Sequence, residues 1–414
     1  MHNIIIDKPY RFVPPRPGNF WPAMFRRYLP SYLRKTHGVE SWELTGSELL
    51  KASLEAGHGI MLAPNHCRPC DPFVLGSLCG AVARNFYIMA SWHLFMQSRF
   101  QAWLLPRVGV FSVYREGMDR EALRFAIQIL TEAQRPLVVF PEGFITRSND
   151  RLNHLMEGPS FMARTAAKQR ATANPPGKVV IHPIALRYFF RGDLAGSINP
   201  VLEQIENRLS WRAVPNKPMI ERIRRIGQAL LALKELEYFG QAQSGTLDQR
   251  LAGLIDRLLS PLEKEWQKEK REGDTFARVK ALRSAILPDL VSGEISEEER
   301  ARRWKQLADI YVAQQTFCYP PDYLNHSPTT EQILETVERF EEDLTGTTRV
   351  HRPIHAVIEV GEALEVSPGR ERGAATDPLM VRLRERLEAM LANSRSQRPL
   401  APSEEKGGQA FQST

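Results

Sequence analysis

Between residues 46 and 190, short apolar runs alternate with more polar segments that are long enough to form helices. Apolar runs bounded by polar loops are typical of buried strands. The predicted strands are Ile60–Ala63, Phe86–Ala90, Val110–Tyr114, Leu137–Phe140 and Val179–Leu186, with a helix over Met118–Ala133. Alternation of strand and helix predicts an α/β fold in which helices flank a largely parallel sheet. Such sheets bind ligands at the carboxyl ends of their strands.

Beyond residue 200 the pattern changes to segments of helical periodicity, and strand character returns only near the end. Apolar residues recur at helical spacing from Leu251 to Leu258, whereas Ile354–Val360 is a predicted strand and Pro378–Ala392 a last helix. The predicted organisation is an N-terminal arm over residues 1–39, an α/β domain over 40–199 and 348–393, a helical insertion over 200–347 and a disordered tail over 394–414.

Composition and length describe a globular protein. Of 414 residues, 43% are hydrophobic and 25% charged, which excludes wholesale disorder and fibrous repeats. Four cysteines are too few for a disulfide framework and indicate a reducing compartment. The longest apolar stretch, Phe73–Ala83, is shorter than the roughly 18 residues that span a bilayer, and the N-terminus has no export signal. We therefore expect a cytoplasmic protein.

The N-terminal arm combines aromatic and basic residues. Residues 8–39 contain no acid, and their basic residues are Lys8, Arg11, Arg16, Arg26, Arg27, Arg34 and Lys35. Because aromatic rings favour the lipid headgroup level and cations are attracted to anionic lipid, residues 8–39 are predicted to lie on the inner membrane face. The alternative is an arm packed over the domain, in which five prolines prevent a long helix. The formal net charge of +7 indicates an anionic partner, and no nucleic acid is expected.

The first candidate for chemistry follows the strand that ends near Ala63. In the segment 65–72 (Asn-His-Cys-Arg-Pro-Cys-Asp-Pro), the carboxylate of Asp71 could fix the tautomer of His66. The other ring nitrogen of the histidine would then remove a proton from a hydroxyl. Asp71 before a proline also suits the N-cap of a helix.

Two other readings of this segment involve its cysteines. A zinc site through Cys67 and Cys70 lacks a second pair of ligands, because Cys79 and Cys318 are isolated in the sequence. No metal is therefore expected. A cysteine nucleophile has only its proximity to His66 in its favour.

Three further segments end predicted strands with polar or special residues. Gly109–Arg115 brings an arginine to a strand exit, where a guanidinium can bind phosphate or form an ordinary surface ion pair. Phe140-Pro141-Glu142-Gly143 ends a strand at a carboxylate and a glycine, which is either a simple turn or a place where a ligand approaches the backbone. Pro183, within Ile181–Ala185, interrupts a buried strand and indicates an edge, a bulge or a site wall.

These four segments, in this order, resemble the four sequence blocks of the glycerolipid acyltransferase family over about residues 40–190. The resemblance implies transfer of a fatty acyl group from acyl-CoA or acyl carrier protein to a hydroxyl of glycerol-3-phosphate or a lysophospholipid. It implies no metal or redox cofactor, with the acyl thioester as co-substrate. It further implies that His66 is the general base and Asp71 its orienting partner.

The same resemblance assigns a set of residues to substrate binding: Asn65, Gly109, Arg115, Glu116, Gly117, Pro141, Glu142, Gly143, Arg147 and Pro183. The third block departs from the family pattern, because Phe144 and Ile145 precede Thr146-Arg147 where the family often has Thr-Arg directly after the glycine. Two alternatives therefore stay open. One is an acyltransferase whose lipid acceptor carries no phosphate, and the other is a non-catalytic protein that binds lipid surfaces with the same fold.

Overall fold

A computed structural model gives the fold and describes residues 9–209, 217–266, 275–293, 295–319, 322–324, 327–369 and 376–396. These residues form two compact units. The α/β unit comprises Phe12–Val113, Asp119–Asp193 and the described part of Val350–Thr414. The helical unit comprises residues 9–11, Tyr114–Met118 and the described part of Leu194–Arg349. Lys8 and most of the tail predicted over 394–414 lie outside the described residues.

The α/β unit is built on an eight-stranded sheet. Its strands are β1 (Val39–Thr45), β2 (Gly59–Pro64), β3 (Tyr87–Ser91), β4 (Val110–Val113), β5 (Leu137–Val138), β6 (Val179–Phe190), β7 (Ile354–Val360) and β8 (Leu364–Glu365). The order is β1-β7-β6-β2-β5-β3-β4, with β8 paired to β6. All neighbouring strands are parallel except that β7 and β8 run antiparallel to β6. The predicted α/β fold with a largely parallel sheet is confirmed.

Helices flank this sheet. They are α1 (Phe20–His37), α2 (Ser47–Glu55), α3 (Asp71–Ala81), α4 (His93–Met96), α5 (Arg99–Arg107), α6 (Arg120–Glu132), α7 (Gly158–Ala171) and the last helix, α14 (Pro378–Ser396). The six residues of β2 are all buried, since the strand lies between β5 and β6 in the middle of the sheet. Helix α6 buries Ala122, Ala126, Ile129 and Leu130 on one face, at the i, i+4, i+7, i+8 spacing of an amphipathic helix.

Several strands differ from their predicted extents for identifiable reasons. Strand β5 ends at Val138, two residues before the predicted end, because the chain turns away at Phe140-Pro141. Strand β6 continues to Phe190, because β7 pairs with its second half from Ile184 onward. Strand β1 was not predicted: its polar sequence fits an edge strand that pairs only with β7.

Helix α1 contradicts the expectation that prolines prevent a long helix in the arm. The helix runs for 18 residues with Pro30 inside it. Pro22 lies in the first turn, where backbone N–H groups have no intrahelical acceptor, so its missing N–H costs nothing there. Leu29 and Leu33 are buried, and an added Cβ at Gly76 of α3 would lie 2.7 Å from Leu29 Cδ2, so α1 packs closely on α3.

The helical unit contains α8 (Leu194–Arg208), α9 (Met219–Phe239), α10 (Leu247–Trp266), α11 (Thr275–Ser292), α12 (Glu297–Phe317) and α13 (Thr330–Thr345). Leu254, Ile255 and Leu258 of the predicted apolar face are buried in its core. Arg222 and Glu206 form a buried ion pair in this unit, with two guanidinium contacts of 3.0 and 2.9 Å. Such pairing offsets the desolvation of the two groups.

Candidate functional site

Two loops meet at the carboxyl ends of β2 and β5, which are neighbouring parallel strands. The first, residues 65–70, connects β2 to α3, and the second, residues 139–157, connects β5 to α7. Thr146 of the second loop donates both its backbone N–H, at 2.8 Å, and its hydroxyl, at 3.1 Å, to the carbonyl oxygen of His66. The second loop therefore holds the backbone of the first.

His66 and Asp71 lie side by side in the first loop and at the start of α3. His66 Nδ1 and Asp71 Oδ2 are 2.8 Å apart. The histidine side chain is 15% exposed and the aspartate side chain 0% exposed, so the carboxylate is sheltered while the ring reaches the surface. The ring also stacks on Phe140, with centroids 4.0 Å apart and an interplanar angle of 28°. This geometry fixes the ring and directs Nε2 away from the carboxylate.

The capping role expected for Asp71 is wrong. Helix α3 begins at Asp71 itself, and its N-cap is Cys70, without a side-chain capping bond. The Asp71 carboxylate instead accepts hydrogen bonds from Arg68 N on Oδ2, at 2.9 Å, and from Tyr188 Oη on Oδ1, at 2.5 Å. Together with His66, these donors satisfy both oxygens of a buried carboxylate.

Glu142 supports the histidine from the second loop. Its Oε1 accepts the backbone N–H of His66 and its Oε2 that of Asn153, both at 2.8 Å. The side chain is fully buried. Burial raises the pKa of Glu142 to about 7, against the stabilising effect of the two N–H groups on the anion. The resemblance assigns Glu142 to acceptor binding, but in the structure its contacts position the backbone of His66.

Asparagine side chains attach both loops to β6. The amide of Asn65 exchanges two hydrogen bonds with the backbone of Leu186, at 3.0 Å through Nδ2 and 2.7 Å through Oδ1. The amide of Asn149 does the same with the backbone of Tyr188, at 2.9 and 2.7 Å. Asn65 thus acts as a backbone clamp, and the two loops share β6 as a common support.

The cysteines of the first loop do not have the properties of nucleophiles. Cys67 and Cys70 are buried. Burial and the nearby charge of Asp71 raise the pKa of Cys70 to about 12, which leaves it a neutral thiol at neutral pH. Within the described ranges, no group of three or more His, Cys, Asp or Glu residues is arranged to hold a metal ion.

The remaining residues of the third block lie in the second loop. Gly143 has φ +76°, and a Cβ there would come within 2.4 Å of Met156 Cε, so the group that approaches its backbone is a side chain of the same loop. Pro141 is buried, and its carbonyl accepts the N–H of Met156 at 2.9 Å. Arg147 follows Thr146 directly and adopts φ +58°, in the left-handed region that non-glycine residues rarely occupy.

Pro183 and Gly109 are placed differently with respect to the His66 loop. Pro183 is a buried residue of β6 beside Ala63 of β2, opposite the link between β7 and β8, where it accepts the N–H of Gly361 at 2.9 Å. The proline therefore sits where the antiparallel pairing of β6 changes partner. Gly109 precedes β4, at the amino end of a parallel strand, whereas His66 follows the carboxyl end of β2. The structure does not bring Gly109 to the histidine.

Arg115, Glu116 and Gly117 belong to the helical unit, in the segment Tyr114–Met118. Glu116 forms an ion pair with Arg283 of α11, with Nη2 and Oε1 2.7 Å apart. Burial lowers the pKa of Arg115, against the favourable charge of Glu116. Gly117 is exposed, and a Cβ there would contact the ring of Tyr114 at 3.3–3.4 Å.

Sequence reasoning missed the residues that surround the pair from distant parts of the chain. Tyr188 looks like an ordinary core aromatic within an apolar strand, and Thr146 and Asn149 look like polar loop residues. They are far from His66 in the sequence, so only the assembled sheet brings them to the pair. The signal that was available is the Asn-Asp-rich character of the second loop, which favours side-chain bonds to backbone.

Comparison with known proteins agrees with this geometry. Residues 42–187 match the family model described as Acyltransferase. No curated protein matches the chain. The matched range begins in β1 and ends in β6, so it includes His66, Asp71 and both loops. This match supports acyl transfer as the general activity and shows that residues 42–187 are a domain of the glycerolipid acyltransferase family.

Proposed function

We propose that the protein transfers a fatty acyl group from acyl-CoA or acyl carrier protein to a hydroxyl of glycerol phosphate or a lysophospholipid. The observation that carries the proposal is the His66–Asp71 pair, 2.8 Å apart at the carboxyl ends of the parallel strands, in a domain of the acyltransferase family. A sheltered carboxylate beside a partly exposed imidazole is the arrangement that general base catalysis on a hydroxyl requires.

In the proposed reaction, His66 Nε2 removes the proton from the acceptor hydroxyl while that oxygen attacks the thioester carbonyl carbon. The imidazolium is stabilised by Asp71, which accepts a hydrogen bond from Nδ1–H at the opposite side of the ring. The tetrahedral adduct then collapses: its C–S bond breaks, the new C–O ester bond remains, and the thiol leaves with the proton from His66. The reaction as written needs no oxidant, reductant or metal.

The acceptor is proposed to carry a phosphate, for which the resemblance offers two separate candidate ligands, Arg115 or Arg147. Guanidinium groups bind phosphate through two parallel hydrogen bonds, and both arginines belong to the blocks that resemble the family. The loops that would border the acceptor are supported by Asn65, Pro141, Glu142 and Gly143. The resemblance alone supports the proposal that substrate is bound by Gly109, Glu116, Gly117 and Pro183.

We also propose that the enzyme works at the inner face of a membrane, peripherally, through residues 8–39. The absence of acidic residues in that segment and its aromatic content support this placement. Among the described residues, none of the helices is both long and apolar enough to cross a bilayer.

An acceptor screen tests the function. Purified protein is incubated with a long-chain acyl-CoA, a thiol-trapping reagent and, separately, glycerol-3-phosphate, lysophosphatidic acid, lysophosphatidylcholine and monoacylglycerol. We expect acceptor-dependent thiol release with the phosphate-bearing acceptors and an ester product by mass spectrometry. Release with monoacylglycerol only would indicate an acceptor without phosphate. If no acceptor causes thiol release, whether the donor is acyl-CoA or acylated acyl carrier protein, the result would favour a non-catalytic lipid-binding protein.

Arg115→Ala refines the acceptor assignment in the same assay. If Arg115 binds the phosphate, the KM for the acceptor rises by about ten-fold while kcat changes little, because one charge-assisted contact is lost from both ground and transition states. Arg283→Ala is the matched control, since it removes a nearby guanidinium whose partner is Glu116. An unchanged KM in Arg115→Ala argues against phosphate recognition by this residue.

A further inference from the structure

Four aromatic rings of α1 and α5 contact one another in a chain, and three of them are exposed. Phe20 packs edge-on against Trp21, Trp21 against Trp103 and Trp103 stacks on Phe100, with ring centroids 5.4, 4.8 and 6.2 Å apart. Phe20 is 70% exposed and Phe100 66% exposed. We call these four residues the aromatic patch. Two methionines close to it in the sequence are also exposed, Met24 on α1 and Met96 on α4.

The surroundings of the aromatic patch are cationic. The two stretches that supply it, residues 8–39 and 72–115, contain no aspartate or glutamate. Arg107 lies over the ring of Trp103, with Cζ 4.2 Å from the centroid, and the exposed Arg99 precedes Phe100. Arg16 donates its backbone N–H to Pro106 of α5 at 2.8 Å, so a further exposed arginine lies beside the patch.

We propose that the aromatic patch is the surface through which the protein docks on an anionic lipid bilayer. Exposed rings with arginines at their border suit the boundary between headgroups and acyl chains, and the lack of acids removes the repulsion that a phosphate-rich surface would exert. The inference deepens the proposed function and rests on it for its purpose. It adds α5, which lies outside residues 8–39.

The test uses full-length protein and vesicles of phosphatidylcholine with 30% phosphatidylglycerol, roughly the anionic content at which basic surfaces bind. Phe100→Ala combined with Trp103→Ala is expected to weaken sedimentation with these vesicles at least ten-fold. The matched control is Phe161→Ala, which removes a ring of comparable exposure, 56%, from another helix of the same unit, α7. Wild-type affinity should fall with added salt, and Arg99→Gln should reduce that dependence.

Binding and activity are measured separately so that each idea can fail alone. Acyl transfer to a short-chain acceptor dissolved below its micelle concentration should be unchanged in the double variant, which also reports that the variant is folded. Equal vesicle binding by wild type and double variant overturns the docking surface, whatever the activity. Self-association of wild type that the double variant abolishes, without vesicle binding, overturns it too, in favour of a second copy of the chain.

A separate observation concerns Tyr188. Its hydroxyl donates to Asp71 Oδ1 at 2.5 Å, on the carboxylate oxygen opposite the one that meets His66. The side chain is buried, and the Asn149 amide fixes its backbone. Burial, reinforced by Asp71, raises the pKa of Tyr188 well above its usual value, so the hydroxyl keeps its proton and remains a donor.

We infer that Tyr188 is a positioning residue for the His66–Asp71 pair. By donating a hydrogen bond to Asp71, Tyr188 orients the carboxylate. The same bond draws off part of the carboxylate's negative charge, so the carboxylate stabilises a protonated His66 less strongly. Other titratable or charged groups around the pair are Arg68, Cys67 and Cys70 before α3, Glu142 after β5 and His37 on α1.

Tyr188→Phe removes only the hydroxyl. We expect kcat to fall about ten-fold with little change in KM, and the acid limb of the pH–activity profile to move to higher pH. Tyr87→Phe, on β3, is the control, since its ring packs against Phe125 and Arg135 in the same unit. If kcat falls but the acid limb of the pH profile does not move, Tyr188 contributes only packing. If kcat is unchanged, Tyr188 has no role in catalysis.

Discussion

His66→Ala is expected to lower kcat for acyl transfer by about 10³-fold or more, in the range of effects that a general base contributes. The acceptor hydroxyl would lose the group that takes its proton at the moment of attack. Because Glu142 and Thr146 hold the backbone of residue 66 through its N–H and carbonyl, the loop should keep its place after the side chain is gone. The measurement is steady-state thiol release, with thermal unfolding of the variant alongside.

His93→Ala provides the control for this experiment. His93 is a half-buried histidine of the α/β unit whose Nδ1 lies 2.8 Å from Ser91 Oγ, so His93→Ala also removes a half-buried imidazole but leaves the His66–Asp71 pair intact. Activity near the wild-type level in His66→Ala, with an unchanged unfolding temperature, would contradict the proposed mechanism.

Asp71→Asn should lower kcat by about 10²- to 10⁴-fold, since loss of the orienting carboxylate leaves the base in the wrong tautomer. The structure makes this substitution harsh. Oδ1 and Oδ2 of Asp71 receive donors from Tyr188, Arg68 and His66, and an amide has one oxygen for the three. The amide NH₂ of the variant would face one of these donors. If it faces His66, Nδ1 must become the acceptor and the ring proton moves to Nε2, the nitrogen that has to be unprotonated in a general base.

Asp119→Asn separates this effect from a general loss of buried charge. Asp119 is also buried, but it caps α6 by accepting the N–H of Ala122 at 3.0 Å, and asparagine caps helices nearly as well. We expect wild-type kcat in Asp119→Asn. Equal losses in the two variants would mean that destabilisation, and not the tautomer of His66, explains the result for Asp71.

The order of strands and helices could be predicted because the signals are local. The buried runs Ile60–Ala63 and Val179–Leu186 became β2 and β6, and Ile354–Val360 became β7 with the same bounds. Strand β1 could not be predicted in this way. It lies at the sheet edge with one partner, so it carries polar residues, and its conformation is set by pairing with a strand more than 300 positions away.

The candidate site could likewise be predicted only in part. His66 and Asp71 are five residues apart, so a strand end followed by a helix start brings them together, and their spacing is informative. The groups that complete the site come from Glu142, Thr146 and Tyr188, at separations of 76 to 117 residues from their partners. Contacts over such separations depend on sheet order, which a single sequence leaves undetermined, and Tyr188 has the apolar neighbours of any core strand.

Helix α1 has two faces with different surroundings, and this limits how its function can be studied. Its inner face places Tyr32 and His37 against Phe73 of α3 and buries Leu29 and Leu33, while its outer face exposes Phe20. A shortened protein beginning after residue 37 would lose both faces together and uncover hydrophobic surface on α3. Aggregation of such a truncation would then mimic altered lipid affinity, so outward-facing substitutions are the informative choice for expression and assay design.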